Sequence, residues 1–70
     1  MKRTFRIDVN KPNRGYTMAV EVYGNERTAA FVAFNNELFE EDSDLDIAKV
    51  YDITNDPGEM ERWNGKVHKY

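Results

Sequence analysis

Few side chains in this 70-residue sequence have the chemistry that catalysis or a cofactor needs. The chain has one histidine, no cysteine and no glycine-rich run that would cradle a phosphate. His68 lies in a basic stretch, which is typical of a solvated residue rather than a general base or a lone metal ligand. Ser43 lies between two aspartates with no base near it in the sequence, which is typical of a loop. The sequence therefore predicts no enzyme, no catalytic residue and no cofactor.

Three aspartates alternate in the way that calcium-binding loops begin. Asp42, Asp44 and Asp46 offer carboxylate oxygens at the spacing with which such a loop surrounds a hard cation. An EF-hand loop that began at Asp42 would need glycine at its sixth position and glutamate at its twelfth. The chain has Ile47 and Ile53 at those positions. We therefore expect no metal site.

The most concentrated charge in the chain lies in residues 37–46, which we call the acidic segment. Six of its residues are carboxylates: Glu37, Glu40, Glu41, Asp42, Asp44 and Asp46. Carboxylates spaced along one surface can imitate DNA phosphates and occupy the nucleic-acid-binding cleft of another protein. A solvated acidic face that keeps the chain soluble is the competing interpretation. The acidic segment is the predicted partner-binding surface.

A basic surface is predicted near the N-terminus. Residues 1–15 carry five basic side chains against one acid, whereas residues 16–60 carry eleven acids against two bases. Contacts to a nucleic-acid backbone and a stacking platform would come from Arg3, Arg6, Lys11, Arg14 and Tyr23. The formal net charge of −3 opposes this use, because non-specific nucleic-acid binders are normally basic overall. Nucleic-acid binding by this region is the alternative function.

The basic residues belong to a predicted β-hairpin. Apolar and polar residues alternate over 3–9, which indicates a strand with one wet face. Residues 11–15 contain proline, asparagine and glycine and favour a turn. Alternation resumes at Tyr16 and continues to Tyr23, so a second strand closes the hairpin.

An amphipathic helix is predicted over residues 26–41, with Asn25 as its N-cap. Phe31, Phe34 and Leu38 share a narrow sector, and we expect this sector to pack on the sheet. Val32 and Phe39 lie at its flanks and are expected to be exposed. A strand over residues 28–34 is the competing interpretation.

A third strand is predicted over residues 46–54, with apolar residues on both sides that suggest cover on two faces. Asp56, Pro57 and Glu59 form a helix-start pattern, and the sequence leaves open whether residues 57–70 are helix, strand or tail. Trp63 is expected to close the open end of the core. The predicted architecture is a small antiparallel sheet in strand order 2-1-3 with one helix on one face, an α+β fold.

Length and composition are those of one domain, residues 1–70. A hydrophobic fraction of 40% with 13% aromatic residues is too rich for a disordered chain. The sequence shows neither the ~20-residue apolar stretch of a membrane helix nor the apolar run of a signal peptide. Because the chain also lacks cysteine, we expect a cytoplasmic protein.

In its order of elements the chain resembles the small inhibitors with which bacteriophages silence host RNA polymerase or defence enzymes. The resemblance covers the strand–strand–helix–strand order, carries no shared motif and transfers no residue. It implies an inhibitor or regulator of a host protein, encoded by a phage or mobile element. We therefore expect a non-enzymatic protein-binding module. A homodimer is left open, through a sheet edge or through the apolar groups expected to be exposed, which are Val32, Phe39, Trp63 and Tyr70.

Overall fold

The computed structural model describes residues 1–11, 14–39 and 48–70. Its elements are β1 (Lys2–Lys11), β2 (Arg14–Tyr23), α1 (Glu26–Asn35), β3 (Ala48–Asp52), α2 (Pro57–Arg62) and β4 (His68–Lys69). The predicted α+β fold is confirmed. Residues 28–34, for which a strand was the competing interpretation, are helical.

The sheet has the strand order β3-β1-β2-β4. β1 and β2 pair antiparallel in a register that places Ile7 opposite Met18, and β3 pairs antiparallel with the other edge of β1. The predicted order 2-1-3 is therefore confirmed. β4 extends the sheet beyond β2 and pairs with it in parallel, so the sheet is mixed rather than antiparallel throughout as predicted. Residues 57–70, left open by the sequence, thus form a helix and a short strand.

The main core lies between α1 and one face of the sheet, here called the core face. Alternation along the hairpin directs its large apolar side chains to this face: Phe5, Ile7, Val9, Met18, Val20 and Val22, all buried. Ala29, Ala33 and Phe39 complete the buried cluster. The period-two pattern of the sequence thus identifies the core side of both long strands.

The helix register differs from the prediction. Ala29 and Ala33 are fully buried against the sheet, whereas Phe31 and Phe34 are each 41% exposed. Leu38 is half-buried against the core as expected, and Phe39, expected at an exposed flank, is buried. Small alanine side chains let the helix lie close to the sheet, and this turns the two larger rings away from it.

The helix is also shorter than predicted. It ends at Asn35, and Glu37 adopts a left-handed conformation with φ of 62°. The amide of Leu38 donates to the carbonyl of Ala33, and the amide of Glu37 donates to that of Phe34. These two bonds form a Schellman motif, in which glycine is the usual left-handed residue. Because glutamate occupies that position, the sequence carries no signal for the helix end.

The opposite side of the sheet, here called the second face, is covered in part by residues 57–70. Thr4, Ala19 and Ile53 are buried, although they lie outside the cluster under α1. The predicted cover of β3 on two faces holds only in part, because Tyr51 is 43% exposed. Residues 46 and 47 of the predicted third strand lie outside the described residues.

Candidate functional site

The outward side of α1 carries an apolar patch with a basic edge. Arg27, Phe31 and Phe34, together called the aromatic surface, follow one another at helical spacings of four and three residues, and all three are exposed. The Arg27 guanidinium lies 5.5 Å from the centroid of the Phe31 ring. The Phe34 ring meets the ring of Phe39 edge-on, with centroids 5.7 Å apart. Neighbouring side chains therefore support both rings.

Local sequence explains why the aromatic surface faces outward. The side chain of Asn25 accepts a hydrogen bond from the Thr28 amide, and the Thr28 hydroxyl accepts one from the Asn25 amide, which closes a capping box. This cap starts the helix at Glu26 and sets its phase along the chain. Ala29 and Ala33 then share the side toward the sheet, four residues apart, and Phe31 falls on the opposite side.

The acidic segment begins at the end of α1. Glu37 is exposed, and it is the residue with left-handed backbone conformation just after the end of α1. Phe39, two residues later, is buried and contacts Phe34. The other predicted partner-binding residues lie outside the described residues: Glu40, Glu41, Asp42, Asp44 and Asp46. The calcium pattern and Ser43 fall in the same range.

The predicted basic residues do not share one surface. Arg3 and Arg6 lie on opposite faces of β1, because side chains alternate along a strand. Nη1 of Arg3 donates to Oδ2 of Asp52 at 2.7 Å, so this arginine is paired on the core-face side. Tyr23 is 66% exposed, and the Lys2 ammonium lies 5.4 Å from its ring centroid. The side chains of Lys11 and Arg14 lie outside the described residues.

Arg6 is the centre of a polar cluster on the second face. Its Nη1 donates to Oε1 of Glu59 at 2.6 Å, while Nε and Nη2 donate to the two carboxylate oxygens of Asp8 at 3.1 and 3.2 Å. The guanidinium carbon lies 4.6 Å from the Tyr51 ring centroid. Glu59 accepts a second bond, from Nε1 of Trp63 at 3.1 Å. Burial opposes the charge on Arg6, yet the hydrogen bonds to Asp8 and Glu59 leave its pKa raised.

This cluster corrects the expectation for Trp63. The indole is half-buried on the second face, held by Glu59, and does not close the open end of the main core. Sequence reasoning missed the cluster because Arg6 and Glu59 are 53 residues apart. The one available signal was the helix start at Asp56, whose side chain accepts from the Glu59 amide and so places α2.

A second polar cluster joins β3 to β1. The Thr54 hydroxyl accepts from the Thr4 amide at 2.9 Å and donates to Oδ1 of Asp52 at 2.6 Å. The Thr54 amide also donates to Oδ1 of Asp52, at 3.0 Å. The bonds from Thr54, followed by the ion pair with Arg3, lower the pKa of Asp52. The arrangement fixes the strand end and presents no reactive group.

Among residues 1–11, 14–39 and 48–70, no group of His, Cys, Asp and Glu side chains has the arrangement of a metal site. His68 is exposed on β4. A cleft of about 350 Å³ lies between the second face and residues 60–69, and its floor includes Thr4 and Glu21. No helix in the described part of the chain is long and apolar enough to cross a membrane.

Comparison of the chain with models of protein families, with curated proteins and with solved structures returns no match.

Proposed function

We propose that this chain is a non-enzymatic protein-binding module, in which the aromatic surface of α1 and the acidic segment form one contact region. The observation that carries the proposal is the exposure of Phe31 and Phe34, at 41% each. A chain this short buries only roughly 60% of its unfolded surface and gains from burying every large side chain. Here alanine occupies the sheet side of the helix while two phenylalanines face outward.

Exposed aromatic rings of this kind suit a protein partner. Aromatic residues are enriched in the cores of protein interfaces, and charged residues are found around the rim. Supported rings lose little conformational entropy when a partner covers them. The contact of Phe34 with Phe39 places the start of the acidic segment beside the aromatic surface.

The negative charge of the acidic segment favours a partner with a positively charged surface. Clustered carboxylates accelerate and orient the encounter with a positively charged surface. A nucleic-acid-binding enzyme of a host cell presents such a surface, and the acidic segment would occupy it as DNA phosphates do. An inhibitor or regulator carried by a phage or mobile element is the role that this chemistry fits.

Nucleic-acid binding by the hairpin has one supporting observation, the exposed Tyr23 ring beside Lys2. Arg3 and Arg6 are less suited to phosphate contacts, because each already bonds to a carboxylate and they lie on opposite faces. Labelled DNA and RNA at low salt provide the test. This alternative expects a mobility shift that weakens with salt, and the absence of a shift would contradict it.

The proposal is tested by quantitative capture on the immobilised full chain from nuclease-treated lysate of its native host. We expect a protein to be retained by the wild type and lost with the Phe31→Ser/Phe34→Ser double variant. Truncating an anchor residue at the centre of an interface weakens binding by roughly tenfold or more. Tyr23→Ser, which removes an exposed ring elsewhere, is the matched control and retains the partner.

Neutralising variants test the acidic half of the contact region. Replacing Glu40, Glu41, Asp42 and Asp44 by their amides should weaken capture, and should reduce its sensitivity to salt. Capture that is unchanged in both the phenylalanine and the amide variants would overturn the proposal. Far-ultraviolet circular dichroism of each variant confirms that the fold is retained.

A further inference from the structure

Residues 57–70, here called the C-terminal strap, lie over the second face with little apolar anchoring. Within the described chain, no residue of α2 or β4 is buried. The apolar side chains of the strap are at most half-buried: Trp63 and Val67 are half-buried, while Met60 is 36% and Tyr70 40% exposed. Most elements of small domains are held by a buried apolar side, so the strap must be held differently.

One carboxylate carries much of the attachment. Oε1 of Glu59 accepts from Arg6 on β1, and Oε2 accepts from the indole of Trp63 within the strap. The side chains of Arg6 and Glu59 are 23% and 18% exposed, so solvent screens this pair only in part. At the far end, the two-residue pairing of β4 with β2 and the bond from the Tyr70 amide to the Glu21 carbonyl complete the attachment.

The contacts beneath the strap are separate from the main core. Thr4, Ala19 and Ile53 are buried on the second face, while the cluster under α1 uses the opposite face of the same strands. A cleft of about 350 Å³ further separates the strap from the sheet. Detaching the strap would therefore leave the contacts between α1 and the core face intact.

We propose that the C-terminal strap opens as a unit while the hairpin, α1 and β3 stay folded, and that the Arg6–Glu59 ion pair sets the closed fraction. Segments with few buried apolar contacts open with free energies below that of global unfolding. Opening uncovers Thr4 and Ala19, and it frees the outer edge of β2 at Glu21. The strap is thus a gate over the second face, distinct from the aromatic surface.

Native-state hydrogen exchange of the full chain, followed by NMR, tests the gate. The backbone amides of Trp63 and Tyr70 report opening of the strap, because they donate to the backbone carbonyls of Glu59 and Glu21, respectively. The amide of Ile7, at the centre of β1, reports the core. We expect the strap amides to exchange with a lower opening free energy than Ile7.

Glu59→Gln removes the charge and keeps the shape of the side chain. Losing a charge-assisted hydrogen bond should accelerate exchange of the strap amides on the order of tenfold, with Ile7 unchanged. Glu61→Gln removes the same charge from an exposed position of α2 and is the matched control, with no acceleration expected. Equal acceleration of strap and core amides, or equal opening free energies in the wild type, would overturn the proposal.

A second readout needs no variant. Trp63 is the only tryptophan in the chain, so its fluorescence reports the strap alone. Salt at about 1 M shortens the Debye length to about 3 Å and weakens the partly screened ion pair. We expect acrylamide quenching of Trp63 to rise with salt while circular dichroism stays constant; quenching that rises only when the dichroism is lost would contradict a separate gate.

Discussion

Replacing Thr54 by valine removes one hydroxyl and keeps the shape of the side chain. That hydroxyl accepts the hydrogen bond of the Thr4 amide and donates to Asp52. Thr4 is only 3% exposed, so water does not readily replace the lost acceptor. The substitution therefore leaves a buried amide unpaired at the junction of β1 and β3.

The expected cost follows from these two bonds. An unpaired buried donor costs about 1–3 kcal/mol, and the bond to Asp52 adds little because the Thr54 amide and Arg3 still hold that carboxylate. We expect a loss of about 2 kcal/mol in the free energy of unfolding. For a domain of this size, 1 kcal/mol corresponds to roughly 4–8 °C in Tm, so the variant should melt about 8–16 °C lower.

Urea denaturation followed by circular dichroism measures this change, and Thr54→Ser is the control. Serine keeps the oxygen and loses only a methyl group, so it should cost less than about 1 kcal/mol. Either of two results would refute the assignment of the Thr54 hydroxyl as acceptor for the Thr4 amide. The first is a free energy of unfolding for the valine variant within about 0.5 kcal/mol of the wild-type value, and the second is a serine variant that is as destabilised as the valine variant.

Two further changes test the local structure. The hydrogen bonds from Thr54 lower the pKa of Asp52 in the folded state. The stability contributed by ionised Asp52 is therefore complete above its unfolded pKa of about 3.9, and it is lost as pH falls through the lower folded pKa. The difference in unfolding free energy between wild type and Asp52→Asn should shrink below about pH 4, and a constant difference would contradict the shift. Gly24 has φ of +129°, and a Cβ there would clash with the Thr28 side chain. Gly24→Ala should therefore cost more than about 2 kcal/mol in urea denaturation, whereas Gly58→Ala, with its nearest contact at 3.6 Å, should be neutral or stabilising.

The hairpin was predictable because its signal is local. Strict alternation from Phe5 to Val9 and from Tyr16 to Val22 decides which side chains are buried, and a short turn makes the two strands neighbours. The order 2-1-3 then follows, since a crossover helix returns the third strand to the free edge of β1.

The helix register was not predictable from the same kind of pattern. The helix sector with the largest apolar side chains contains Phe31 and Phe34, but the residues that pack against the sheet are Ala29 and Ala33. Periodicity shows where apolar residues concentrate, and it does not show how closely a helix approaches the sheet. The two rings that the sequence places in the core are exposed instead, and they form the aromatic part of the proposed contact region.

Long-range pairs were also beyond local reasoning. Arg3 forms an ion pair with Asp52, 49 residues away, and Arg6 forms one with Glu59, 53 residues away. The sequence contains many other carboxylates that either arginine could pair with. These pairs occupy two of the arginines that the sequence offers for nucleic-acid contacts. The acidic segment remains a prediction of the sequence, since only Glu37 among its six carboxylates lies within the described residues.

Site-specific photocrosslinking distinguishes α1 from the hairpin as the surface that binds a protein partner. A benzophenone amino acid replaces Phe34 in one sample and Tyr23 in another, and both are irradiated in lysate of the native host. We predict a protein adduct that resists nuclease from position 34 and none from position 23. An adduct only from position 23, or a nuclease-sensitive adduct from both, would contradict the assignment of α1 as the surface that binds a protein partner.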